Sequence, residues 1–163
     1  MTIWAVTVAG DPAPKGSMKC VGARGKMKHC LVEDDKAGRG KVWRAKVTAA
    51  GVELRRSIGD TLDGPLGMAV LVVAQRPAAA KDRVLPHFRS AHDSDKLARL
   101  IGDALDDADV YADDSRICWL TSAKVYERDG RTPGATVILW PLLEESHTMQ
   151  VTRHLLGLAP ELN

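Results

Sequence analysis

The chain has 163 residues, room for one domain with a core of its own. Its 45% apolar and 27% charged residues are ordinary for a soluble globular protein, and no apolar run is long enough to cross a bilayer. Three cysteines are too few and too odd in number for a disulfide framework. Met1-Thr2-Ile3-Trp4 lacks the basic and apolar regions of a secretion signal, so a cytoplasmic protein with free thiols and no membrane partner is expected. A zinc site from Cys20, His29 and Cys30 has little support, because Cys-x₉-Cys is not a standard ligand spacing.

The net charge of +2 conceals a segregation. Lys15, Lys19, Arg24, Lys26 and Lys28 fall in a stretch with no acid, whereas residues 93–114 hold eight Asp against Lys96 and Arg99. A basic arm beside an acidic cluster suits a phosphate binder that also needs a metal. A basic surface loop and a solvated acidic face would give the same charge pattern.

In chain order, residues 3–9 are β-branched and aromatic and predict a strand. Gly10-Asp11-Pro12-Ala13-Pro14-Lys15-Gly16 ends it, since proline cannot continue a ladder. The glycine-bearing basic stretch to Lys28 follows as a phosphate-contacting loop, and His29 to Val32 reads as a short strand. Val42, Trp43, Val47, Ala50 and Leu54 recur at helical spacing and predict an amphipathic helix over 41–57 with a basic face. Gly51 weakens that helix by about 1 kcal/mol relative to Ala.

Residues 67–74 form a continuous apolar run, the pattern of a central strand buried on both faces. A polar, Pro-rich loop leads to His92. Leu97, Leu100, Ile101, Ala104 and Leu105 then define one apolar face of a helix that Asp93 or Ser94 can cap. At roughly 100° per residue, Asp95, Arg99, Asp103 and Asp106 share the opposite side. Residues 116–126 and 135–140 have strand composition and are expected to pair with each other across a hairpin-like connection. Residues 144–156 fit a C-terminal helix that Gly157 would stop.

Together these elements predict a single compact domain over 1–163, its motif-bearing core at about 3–141 and a helix or tail beyond 144. The class is α/β or α+β, a mixed sheet of four or five strands packed with helices.

Mg²⁺ takes hard oxygen ligands at about 2.1 Å and keeps several waters, so two to four converging carboxylates suffice for a site. Asp93 and Asp95 fall at a helix start and Asp114 at a strand start. Those ends become neighbours if the strand packs beside the helix. A metal there would polarise a phosphate and acidify a water, with Arg99 or Lys124 as the nearby cation. The plainer alternatives are an N-cap for Asp93, a turn for Asp113-Asp114, a solvated helix face for Asp103, Asp106 and Asp107, and a surface lysine at 124.

The run Asp93-x-Asp95-x-Leu97 to Asp103-Ala104-Leu105, then Val110-Tyr111-x-Asp113-Asp114-Ser115-x-Ile117, then Lys124-Val125-Tyr126, resembles the RusA-type Holliday junction resolvases of bacteria and their phages. Gly10-x-Pro12-x-Pro14-Lys15-Gly16 is similar to that family's strand-to-loop signature. The pieces occur in the family's order, from residue 10 to about 140. The resemblance implies a compact α/β homodimer in the cytoplasm of a bacterial cell, phage-encoded or not, with Mg²⁺-dependent endonuclease activity on four-way DNA junctions. Mn²⁺ would be the substitute ion. By the same resemblance Asp93, Asp95 and Asp114 are the metal-binding catalytic carboxylates. Asp103 and Asp113 support them, Arg99 stands where the family has a catalytic-site lysine, and Lys15 and Lys124 match family lysines. Lys96 replaces the family's Asn. Arg keeps the charge of Lys but is not a proton donor at neutral pH, which leaves a non-cleaving junction-binding accessory protein as the alternative.

Overall fold

The computed structural model describes residues 2–16, 18–20, 31–33, 38–80, 85–86, 92–128 and 131–142. The strands are β1 (Trp4–Ala9), β2 (Met18–Cys20), β3 (Leu31–Glu33), β4 (Leu66–Ala74), β5 (Ile117–Tyr126) and β6 (Gly134–Pro141). The helices are α1 (Arg39–Ile58) and α2 (Ser94–Asp106). This is an α+β domain, and none of its described helices is long and apolar enough to cross a membrane. The expected C-terminal helix, the loop residues Arg24, Lys26 and Lys28, and His29-Cys30 lie outside the described residues.

The main sheet runs β1-β6-β4-β5, and β2 pairs with β3 in a separate two-stranded ribbon. β4 and β5 are parallel, as a βαβ unit with α2 as its crossover requires. β6 lies antiparallel to both β4 and β1. The expected pairing of β5 with β6 is therefore wrong. A short connection between two strand-like runs is the local signature of a hairpin, but one side of β5 is taken by β4. The connection instead crosses the end of β4, where Glu127 N donates to Ala74 O at 2.9 Å and its carboxylate accepts from Arg76 N at 3.1 Å. Crossing one strand spans about 10 Å, within reach of seven extended residues.

Both helices cover one face of the sheet. Trp43, Val47 and Leu54 of α1 and Leu97, Leu100, Ile101 and Leu105 of α2 bury against Met68, Val70, Val72, Val137 and Leu139. Each such side chain contributes about 1.5–3 kcal/mol by leaving water. The period-2 alternation sends Ala69, Leu71, Thr121, Thr136, Ile138 and Trp140 to the opposite face, and Ile138 remains 37% exposed there. So β4 is an interior strand as expected, but among the described residues only one of its faces is covered. Its apolar run carries no polar alternation because the outer face is itself uncharged. The Trp140 ring lies over Gly67, where a Cβ would come within 2.2 Å of it.

Gly51 owes its place to the helix crossing. A Cβ there would stand 2.8 Å from that of Ala108 and 3.1 Å from Leu105 Cδ2. The missing side chain lets α1 approach the end of α2, which offsets the lost helix propensity.

Candidate active site

α2 carries the acidic row because its leucine stripe is drawn to the sheet, leaving the opposite side to the carboxylates. Just after it, Tyr111 is fully buried and its hydroxyl donates to Gly102 O at 2.7 Å, which ties the chain back to the helix. Burial pushes the Tyr111 phenol above its ordinary value. Asp113 then caps a short 3-10 turn at 114–116, its carboxylate accepting from Ser115 N at 2.9 Å. Hydrogen bonding from the Ser115 hydroxyl, and then from its backbone N–H, lowers the Asp113 pKa.

The turn brings Asp114 to the same cleft as Asp95. The hollow, about 270 Å³, is bordered by Asp95, Arg99, Asp103 and Asp114 over a floor of Met68 and Tyr111. Among the described residues the side chains of Asp95, Arg99 and Asp114 have no hydrogen-bond or ion-pair partner. Asp103 differs. Lys15 Nζ donates to it, and Arg44 of α1 stands 3.8 Å away. The Lys15 backbone N also donates to Lys96 O at 3.3 Å, so the Pro-rich segment after β1 is strapped along α2.

Asp93 occupies the N-cap position with extended backbone, but its side chain makes no capping bond. Its carboxylate pairs with Lys96 at 3.2 Å, one turn on and outside the cleft. Lys124 is also elsewhere. Its Nζ donates to His92 O at 2.6 Å, at the N-terminal end of α2. Burial, followed by Arg39, lowers the His92 pKa and favours the neutral ring. Of the two candidates for the cation beside the acids, Arg99 borders the cleft and Lys124 does not. The backbone of Lys19 lies in β2, and its side chain is outside the described residues.

Other expectations need correcting. Asp107 is not merely solvated, because Arg44 Nε bonds it at 2.7 Å and lowers its pKa. Asp106 shifts the other way, raised by burial and then by Asp114 and Asp113. The basic face of α1 is largely neutralised locally: Arg44 by Asp107, Arg55 by Asp60 at 3.5 Å, Arg56 by Glu53 at 2.5 Å. Tyr111 and Met68 as the floor were not anticipated. Tyr111 stands in the motif run and Met68 in an apolar strand run, and neither pattern distinguishes a core position from a cleft floor.

Among the described residues no three His, Cys, Asp or Glu side chains are gathered closely enough to hold a metal ion together. Asp95 and Asp114 nevertheless offer the hard oxygen donors that Mg²⁺ takes, in an open cleft with room for its waters.

A mixed sheet with both helices on one face and an unpartnered carboxylate pair beside an arginine defines an α+β protein whose site suits phosphoryl chemistry. A family model described as endodeoxyribonuclease RusA matches residues 10–137, and the chain belongs to that family of DNA-cutting, junction-resolving endonucleases. No curated protein matches the chain.

Proposed function

We propose that the protein is a Mg²⁺-dependent, structure-selective endonuclease that resolves four-way DNA junctions by paired symmetric nicks, acting as a homodimer in the cytoplasm. The observation that carries this is the pair Asp95 and Asp114, both without partners and bordering one cleft with Arg99, in a chain of the RusA family. Asp95 and Asp114 would hold the metal, with Asp93 as the third carboxylate of the family pattern. When bound, Mg²⁺ (or Mn²⁺) supplies Lewis-acid polarisation of the scissile phosphate and a more acidic water.

The chain's own residues do the rest. Arg99 places a guanidinium where charge grows on the phosphate oxygens in the transition state. Asp103, neutralised by Lys15, holds the strap against α2 and so fixes the cleft's border. Asp113 sets the turn that aims Asp114. Lys19, Arg24, Lys26 and Lys28 would draw in DNA phosphates, making binding fall with salt, whereas the Lys124 ammonium is already held by His92 O.

Two opposed cuts require two sites related by a two-fold axis. The outer sheet face supports self-association: Leu71, Thr121, Thr136, Ile138 and Trp140 carry no charge that a second copy would have to neutralise. Incubation of the protein with a labelled four-way junction tests the reading. Metal-dependent paired nicks, abolished by EDTA, are expected. A shifted but intact junction in Mg²⁺ would instead identify a non-cleaving binder, the reading that the Lys96–Asp93 pair favours.

A further inference from the structure

On the other flank of the α2 N-terminus lies a second, larger hollow of about 360 Å³. Its floor is Val72, Leu97 and Tyr126, each under 5% exposed, and the buried Pro12 and Pro86 form its walls. Its polar lining is Asp11, Arg39, Gln75, His92 and Lys124. Arg39 pairs with Asp11 at 2.6 Å, both half exposed, and Lys124 faces His92 O.

This is not an anion trap. One cation is matched by a carboxylate in the same hollow, and the ammonium of Lys124 is committed to a carbonyl. An incoming phosphate would meet Asp11 and an apolar floor. A flat ligand with apolar faces and a polar edge fits better: small-ligand sites are largely apolar cavities with a few convergent polar groups, of roughly 300–1,000 Å³. Together Arg39 and Asp11 present donors and an acceptor side by side. Arginine is matched to guanine O6 and N7, and a carboxylate accepts from cytosine N4.

The hollow also adjoins the acidic cleft. Leu97 forms its floor while Asp95 and Arg99, on the same two turns of α2, border the acidic cleft. The strap that supplies Asp11 and Pro12 continues to Lys15 on Asp103. Taking a base out of the stack costs a few kcal/mol, least where its pairing is already lost, and a four-way crossover interrupts the continuous stack of the duplex.

We propose that this hollow receives an unpaired nucleobase from the branch point of the DNA, its faces against Val72, Leu97 and Tyr126 and its edge read by Arg39 and Asp11. The inference rests on the reading that the protein acts on branched DNA. The test uses a four-way junction with 2-aminopurine at the crossover, in EDTA so that no strand is cut. Saturating protein should raise the fluorescence several-fold, and no rise should follow with the same base inside a continuous duplex. Gln75→Trp, which obstructs the mouth at an exposed position, and Arg39→Ala, on the helix surface, should each abolish the rise while junction binding stays within a few-fold. Circular dichroism verifies that both variants are folded. A bound junction without a rise, or a rise that survives in both folded variants, overturns this proposal and leaves the nuclease reading standing. Failure of the wild-type protein to bind the junction overturns both.

Discussion

The two hollows beside the N-terminal half of α2 are opposites in how they treat charge. In the acidic cleft, Asp95, Arg99 and Asp114 have no partner among the described residues, and the floor is Met68 and Tyr111. In the neighbouring hollow the charged groups are already committed, Arg39 to Asp11 and Lys124 to a carbonyl, over an apolar floor. Two carboxylates without partners on one cleft leave hard oxygen donors available to a cation. Charges that already have partners contribute little net attraction for another ion. The difference suits one side to a metal and phosphate and the other to an uncharged, planar group. A third zone, where Lys15 and Arg44 engage Asp103 and Asp107, shows what a structural carboxylate looks like on the same helix.

The largest effect that sharpens this contrast is at the unpaired acids. Asp95→Asn or Asp114→Asn should lower junction cleavage by about a hundredfold or more, with binding kept or strengthened, since a ligand and a repulsive charge leave together. Full Mg²⁺-dependent cleavage by Asp95→Asn would show that the cleft is not the metal centre. Next comes Arg99. Its alanine variant should lose roughly ten- to a hundredfold in cleavage rate, and Arg99→Lys should recover most of it if the role is electrostatic. Single-turnover rates at saturating enzyme separate this from weaker binding.

Gly51→Ala tests the frame rather than the site. Helix propensity favours the change by about 1 kcal/mol. The added methyl, 2.8 Å from the Ala108 Cβ, forces the helices apart, and overpacking of this kind costs about 1–3 kcal/mol. The net expectation is a lower thermal midpoint. A higher one would mean that α1 and α2 are not held this closely.

The smallest effect belongs to the paired acids. Asp107 is lowered in the folded state, so its contribution is complete above the ordinary carboxylate pKa and is lost as pH falls through the lowered value. Arg44→Ala should remove that contribution and flatten the acid limb of the stability curve. Because the pair is well exposed, the change at neutral pH should be no more than about 0.5 kcal/mol. Urea melts from pH 7 down to 3 on both proteins would check it.

Much of the frame was legible because it rests on local periodicity. The 3.6-residue recurrence of Leu97, Leu100, Ile101 and Leu105 marked α2, and the unbroken run around Val70 marked an interior strand. The order of β6 was not legible. A strand's own residues carry its period and not its neighbour, and β6 is placed by pairing with β1 from the opposite end of the chain. Similarly, the row of aspartates was visible, but which of them had partners was not. Lys15 reaches Asp103 from 88 positions away and Arg44 reaches Asp107 from 63.

The main-sheet strands, both helices, the family and the set of acidic residues were thus readable in the sequence, because helical and strand periods and motif spacing are properties of consecutive residues. Only the tertiary structure decided which acids stand unpaired and which are held. It also revealed that Lys124 belongs to a different hollow from Asp114, and that one face of the sheet carries both sites while the other stays uncharged. Ion pairing and cavity shape depend on distances between segments far apart in the chain, and those distances exist only once the core has packed.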